Sequence, residues 1–182
     1  MSSSRTKCLR RASAVVALTF AAIVALCTST ASAQAATETA ATGHYCVTIL
    51  HRIQPGQPDA VVQSRTCTDS AQQAKTLAPA STVPLVTLYQ NSGLDGYNDT
   101  LYGDAGPCDP VGYGFSNLSY ENDVIVEGIS SYQTYSGCNG QQIFSQTGYG
   151  SSCGIFGPAT AVDVPWACND HIYSMKVYAW FA

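Results

Sequence analysis

The chain has 182 residues, of which 46% are hydrophobic and 11% are charged, and its formal net charge is −4. Four of its eight basic residues fall within the first eleven positions, so the 149 residues from 34 to 182 combine four bases with all twelve acids, a formal charge of −8. An acidic surface repels phosphate groups, which makes nucleic acids and anionic membranes poor partners.

Residues 1–33 predict a signal peptide. Basic residues precede an apolar run from Ala12 to Cys27, and Ala31-Ser32-Ala33 fits the small-residue rule for cleavage. The run is shorter than the roughly 20 strongly apolar residues that a membrane span needs. We therefore expect cleavage after Ala33, secretion into the extracellular space and no membrane association afterwards.

The exported chain divides into four predicted segments. An Ala/Thr-rich start indicates a flexible tail, and a Pro-containing stretch in the middle indicates a linker. The segments are a tail at 34–43, an N-terminal hairpin plus short helix at 44–77, a linker at 78–84 and the main domain at 85–182.

The segment 44–77 predicts two antiparallel strands and a helix. Apolar residues alternate from Tyr45, a second β-branched run follows, and a turn rich in Pro and Gly separates the two. This hairpin places Cys46 opposite Cys67, so we expect that pair to be bonded, with pairing of each to the main domain as the alternative. Asp69-Ser70 predicts the cap of a short helix that extends to about Leu77.

Disulfides are expected from the cysteine count. Six cysteines remain after residue 33, and none of them has CxxC spacing, which gives little support to a zinc or redox site. We expect one bond in the hairpin and one within each half of the main domain, with crossed pairing of the last four cysteines as the alternative. The expected pairs are Cys46–Cys67, Cys108–Cys138 and Cys153–Cys168.

The main domain contains a duplication. Ile129–Tyr135 is echoed by Ile172–Tyr178 at an offset of 43 residues, and Val86–Asn91 is echoed by Gln142–Thr147. Each opening stretch is led by an aromatic strand and runs into glycines. A period of this length indicates a repeated β unit, which predicts a paired Greek-key domain.

Each unit also carries a motif that resembles the Greek-key signature of the βγ-crystallins: an aromatic residue, a bulky residue and then glycine. The resemblance covers about residues 85–180. It implies an all-β, βγ-crystallin-like double Greek-key sandwich, here preceded by the disulfide-closed hairpin and short helix. The motif residues are Tyr89, Leu94 and Gly96 in the first unit, and Phe144, Tyr149 and Gly150 in the second, where the glycine is one place early.

A second βγ-crystallin signature, which binds Ca²⁺ in that family, is partly present. Asn169–Ser174 resembles it with Tyr173 at the hydroxyl position, and Val126–Ser131 keeps both serines but loses the Asn/Asp pair. Since each copy is incomplete, the resemblance implies a weak or absent calcium site and no required cofactor. The candidate ligands carried over from the resemblance are Asn169, Asp170, Ser130 and Glu127.

We expect no enzymatic activity. Gly150–Gly154 matches G-x-S-x-G with Ser152 as nucleophile, but the strand-to-helix elbow of that motif needs a larger α/β sheet. The sequence therefore predicts a secreted, monomeric, non-catalytic module.

Two alternatives remain. The predicted fold is similar to that of a bacterial secreted metalloproteinase inhibitor, which would make a secreted protease the partner. An inhibitor needs a rigid loop, and Gly106, Pro107 and Asp109, beside Cys108, are the candidates. The further alternative is a carbohydrate-binding or toxin-like module, for which the many aromatic side chains would supply a stacking face.

Overall fold

The computed structural model describes residues 44–53, 57, 59–119, 125 and 128–181, which belong to one compact unit, Ala35–Ala182. The predicted signal peptide and the predicted tail at 34–43 lie outside the described residues. In this described part of the chain, no helix is long and apolar enough to cross a membrane.

The described residues form ten strands and one short α-helix. The strong β-propensity of the Val-, Thr- and Tyr-rich stretches agrees with this assignment. The elements are β1 (Tyr45–His51), β2 (Val61–Thr68), α1 (Ala71–Ala74), β3 (Val83–Asn91), β4 (Asp95–Gly103), β5 (Tyr113–Phe115), β6 (Ser131–Thr134), β7 (Gly140–Phe144), β8 (Ser152–Phe156), β9 (Ala161–Asp163) and β10 (Ser174–Tyr178).

The strands form two sheets with the orders β2-β1-β4-β3-β6-β9 and β5-β10-β7-β8. Each half of the duplication supplies four consecutive strands, β3–β6 and β7–β10. In each half the fourth strand pairs with the first, as in a Greek key, while the third strand joins the opposite sheet. The two halves therefore have the same order, β4-β3-β6-β9 and β8-β7-β10-β5, which confirms the predicted double Greek-key sandwich.

The predicted hairpin is present and extends the first sheet. Cys46 lies directly opposite Cys67 in the antiparallel β1–β2 pair, and β1 also runs parallel to β4. Strand β3 begins at Val83, inside the stretch predicted as a linker, because its first residues pair with the end of β4. The hairpin is thus an added edge of the sheet.

A buried polar contact joins the hairpin to β4. Asp99 is fully buried, and its Oδ2 accepts a hydrogen bond from Thr48 Oγ1 at 2.8 Å and lies 3.2 Å from Arg65 Nε. A buried carboxylate is costly unless it is paired in this way, so the contact favours the observed parallel register of β1 on β4.

Helix α1 is a single turn, shorter than the predicted helix. Ser70 caps it as expected, with its hydroxyl accepting from Gln73 N at 3.4 Å. The α-helix ends at Ala74, where the hydrogen bonding changes to the i to i−3 pattern of a 3₁₀ turn: Leu77 N donates to Ala74 O at 3.0 Å. Pro79 follows shortly after and disfavours continuation of the helix. Its buried face packs on Val47 and Ile49 of β1.

The main core lies between the two sheets and contains strand residues from both halves. Its fully buried side chains interdigitate across the sandwich and supply most of the apolar burial. They include Leu88, Leu101, Tyr132, Ile143, Met175 and Val177.

The structure contains the disulfides Cys46–Cys67, Cys108–Cys138 and Cys153–Cys168, the same pairs as expected.

Candidate functional site

Two buried serines perform the same structural task in the two halves. Ser131 Oγ accepts a hydrogen bond from Leu94 N at 3.0 Å and donates to the carbonyl of Asn91. Its counterpart Ser174 accepts from Tyr149 N at 3.0 Å and donates to the carbonyl of Gln146 at 2.6 Å. Each serine of the second signature therefore makes hydrogen bonds to the turn between the first two strands of its own half, which we call the corner of that half.

The turn geometry of the second half agrees with the early glycine of its motif. Gly96 has φ +83°, and the residue at the equivalent distance from Phe144 is Ser151, with φ +51°. Gly150, which the sequence motif selected, has an ordinary φ of −81°. The motif glycine of the second half comes one place early, so the left-handed position of this turn is occupied by Ser151.

The loops of the two calcium-type signatures meet at one point. Ser130 Oγ donates to Asp170 Oδ1 at 2.7 Å, and Asp170 N donates to Ile129 O at 3.3 Å. Gly128 is packed so closely that a Cβ there would lie 2.5 Å from Asp170 Cα, and its φ of +92° also suits glycine. The structure thus joins Ser130 of one half to Asp170 of the other.

Asn169 completes this cluster. Its Nδ2 donates to Asp170 Oδ2 at 2.8 Å, so both oxygens of the carboxylate accept a hydrogen bond. Glu127, the fourth candidate ligand, lies outside the described residues. The oxygens present are the kind that Ca²⁺ prefers, but among the described residues no group of three or more His, Cys, Asp or Glu side chains is arranged to hold a metal.

The predicted inhibitory loop lies elsewhere, between β4 and β5, and the hairpin braces it. Arg52 Nη2 donates to the carbonyl of Pro107 at 2.8 Å, and its Nη1 lies 3.3 Å from Asp109 Oδ2. Tyr113 donates its hydroxyl proton to the carbonyl of Gly106 at 2.8 Å. Two carbonyls at the candidate site thus face the protein, and φ of +87° at Gly106 makes a turn there.

The carboxyl groups of this loop have lowered pKa values. Hydrogen bonding from the backbone N–H of Gly112 lowers the pKa of Asp109, and the nearby Arg52 adds to this against the effect of burial. Burial alone would raise the pKa of Asp104, but hydrogen bonds from His51 and Gln63, each 2.6 Å from Asp104 Oδ2, outweigh it and leave the pKa lowered.

The serine of the G-x-S-x-G pattern is not placed as a nucleophile. Ser152 is the first residue of strand β8, and Cys153 beside it is bonded to Cys168. The turn that precedes β8 leads into a strand, whereas a nucleophile elbow leads from a strand into a helix.

No protein-family model and no curated protein matches the chain. Among solved structures, it is similar to a βγ-crystallin domain of Clostridium beijerinckii, determined as a double mutant, with 19% identity and a TM-score of 0.39 over 53% of this chain and 98% of that one. The chain is also similar to a βγ-crystallin domain of Flavobacterium johnsoniae, with 18% identity and a TM-score of 0.38 over 54% of this chain and 98% of that one. The strand order and the exchanged third strands described above define the fold independently of these values.

Proposed function

We propose that this chain, whose fold is a βγ-crystallin-like double Greek key, is an exported, non-catalytic module with one weak calcium site at the contact between Ser130 and Asp170. The observation that carries the proposal is the 2.7 Å hydrogen bond between these side chains. It joins the hydroxyl position of one signature to an acidic position of the other, which is the pairing that the family resemblance assigns to calcium.

The ligand chemistry accounts for a weak site. Ca²⁺ takes about 6–8 oxygen ligands, and the cluster offers the carboxylate of Asp170, the hydroxyl of Ser130, the amide oxygen of Asn169 and nearby carbonyls. The remaining ligands would be water. A site with one carboxylate among its described residues falls in the range of extracellular modules, with a dissociation constant of about 10⁻⁴–10⁻³ M.

Export has separate support. Three disulfides persist in oxidising compartments and are rare in reducing ones. They also suit a small exported domain, because each one restricts the unfolded chain.

Calcium titration of the mature chain tests the site. At about tenfold excess over the dissociation constant, bound Ca²⁺ adds about 1.4 kcal/mol to the free energy of unfolding and raises the Tm by about 3–5 °C. Asp170→Ala should abolish the rise. Asp95→Ala, which removes an exposed acid of β4, is the matched control and should retain it.

Two results would contradict the proposal: a Tm that does not respond to Ca²⁺, or a response that is equal in Asp170→Ala and Asp95→Ala. The second result would indicate screening of the negative net charge.

The inhibitor alternative has less support, because the carbonyls of Gly106 and Pro107 face the protein. A stoichiometric loss of activity of a secreted zinc metalloproteinase would favour it instead.

A further inference from the structure

A groove of about 420 Å³ lies on the outer face of the first sheet, away from the calcium-type cluster. Its floor is formed by β3 and β4, and one wall is formed by α1 and Pro84. The residues Val47, Ala71 and Lys75 of this lining belong to the N-terminal hairpin and helix. The groove therefore exists because the hairpin extends the sheet, and its volume is within the range of about 300–1,000 Å³ typical of small-molecule sites.

Three tyrosines line the groove: Tyr89, Tyr102 and Tyr135. All three are only partly buried, so part of each side chain is exposed to the groove. A tyrosine ring supplies a large, rigid contact area with little loss of side-chain entropy, and its hydroxyl supplies a hydrogen bond at the rim of that area.

The floor is a chain of hydroxyl groups. Thr87 Oγ1 and Thr100 Oγ1 are 2.9 Å apart, and Thr87 Oγ1 lies 3.4 Å from the hydroxyl of Tyr135. The Tyr135 hydroxyl in turn donates to Gln133 Oε1 at 2.9 Å. The side chain of Asn98 adds an amide to the lining. Such groups exchange hydrogen bonds with a ligand that carries its own hydroxyls.

The charge of the lining narrows the ligand class. Among the described residues that line the groove, none is acidic and the exposed Lys75 is the only one with a charged side chain. Without a carboxylate these residues offer no negative charge to compensate a metal cation, and a single solvated lysine gives little selectivity for an anion. Stacking surfaces, hydroxyls and an amide around a neutral space suit a sugar ring, which has apolar C–H faces and a hydroxyl edge.

We propose that this groove, formed by the outer face of β3 and β4 together with α1, binds a neutral saccharide. Tyr89 and Tyr102 stack on its rings, and Thr100 and Asn98 bond its hydroxyls. The N-terminal hairpin then has a function, because it supplies the wall that turns a flat sheet face into a groove.

The protonation of the tyrosines agrees with this role. Burial, followed by the proximity and hydrogen bond of Tyr135, raises the pKa of Tyr89 to about 12. Burial and then Tyr135 also raise the pKa of Tyr102. These phenols remain neutral donors at neutral and mildly alkaline pH, so saccharide affinity should be constant between about pH 6 and 9.

Calorimetric titration of the mature chain with cellohexaose, chitohexaose and laminarihexaose tests the proposal. We expect at least one of these probes to bind. Ala71→Trp, which fills the groove from an exposed position, should weaken binding at least tenfold, and so should Tyr102→Ala. Trp166→Ala is the control, since Trp166 is 91% exposed and outside the groove, and it should change affinity less than twofold.

Ala71→Trp keeps the experiment decisive if Tyr102→Ala does not fold. The proposal is overturned if none of the three saccharides binds at about 10 mM, or if binding survives Ala71→Trp. Loss of binding in Trp166→Ala with full binding in Ala71→Trp would place the sugar on the exposed tryptophan instead. Because Asp170→Ala leaves the groove intact, failure of the calcium proposal is distinguishable from failure of this one.

Discussion

The two halves of the sandwich share a strand order, but their edges differ. Strands β3 and β4 of the first half have nine residues each, whereas their counterparts β7 and β8 have five. The first half pairs with the N-terminal hairpin along β4, while β8 ends its sheet. The added hairpin, docked on one of two similar units, thus contributes a wall of a groove on that unit.

The loops that meet between the halves differ as well. With the 43-residue offset, Gly128 corresponds to His171 and Ser130 corresponds to Tyr173. The first half brings a glycine and a small hydroxyl to the contact, and the second half brings the carboxylate of Asp170. The duplication therefore leads us to expect one calcium site, where a symmetric pair of loops would form two.

The largest effect is expected at Gly128. Alanine there would place a Cβ 2.5 Å from the backbone of Asp170 at a φ of +92°, so Gly128→Ala should lower the free energy of unfolding by about 3 kcal/mol or more. Gly106→Ala is the control, because Gly106 has a similar φ of +87° but nothing within 4 Å of the added Cβ. It should cost only about 1–2 kcal/mol, and equal losses in urea unfolding would mean that the close contact is absent.

The two corner serines test the symmetry of the halves. Ser131 and Ser174 are fully buried and make matching hydrogen bonds, so alanine at either position should cost about 1–3 kcal/mol, with the two values close together. The exposed Ser92 is a control that should cost little. If equilibrium unfolding shows one serine to be neutral, the two corners are not equivalent.

The brace between the hairpin and the first half should be visible as a pH dependence. The folded pKa of Asp104 is lowered, so its stabilising effect is present above the unfolded pKa of about 3.9 and is lost as the pH falls through the folded value. Asp104→Asn should cost about 1 kcal/mol at pH 7 and reduce the loss of stability as the pH falls below about 4. If the loss of stability at acidic pH is the same in Asp104→Asn as in the parent chain, the hydrogen bonds of Asp104 with His51 and Gln63 do not stabilise the fold. Asp95→Asn is the matched control.

The smallest expected effect concerns the second corner. Ser151 has φ +51°, so Ser151→Gly should stabilise the protein by up to about 1 kcal/mol. Gly150→Ala should stay within about 0.5 kcal/mol, because the added Cβ meets mainly the flexible end of Gln146. If thermal unfolding shows Ser151→Gly to be less stable than Gly150→Ala, the glycine position of the motif is Gly150 and not Ser151.

The repeat and the cysteines carried most of the fold prediction. The 43-residue offset in the sequence aligns Ser131 with Ser174, because their hydrogen bonds to the turns require a small hydroxyl at the same place in each unit. Local alternation and the turn between the strands likewise predicted Cys46 opposite Cys67.

Other features depend on contacts between distant segments. The parallel pairing of β1 with β4 involves Asp99, which reads as loop material in the sequence but is fully buried beside Thr48. The groove could not be predicted from the sequence, because its prediction needs both the pairing of β3 with β4 and the position of α1. The alternation of Asn98, Thr100 and Tyr102 along β4 was the available signal, but it does not show what lies above that face.

The stoichiometry of calcium binding by residues 34–182, measured by titration calorimetry, tests whether the two halves form one shared site. We expect one weak site per chain that Asp170→Ala eliminates, because Ser130 of one half meets Asp170 of the other and the two halves are unequal. Two sites per chain, no binding at all, or one site that persists in Asp170→Ala would contradict it.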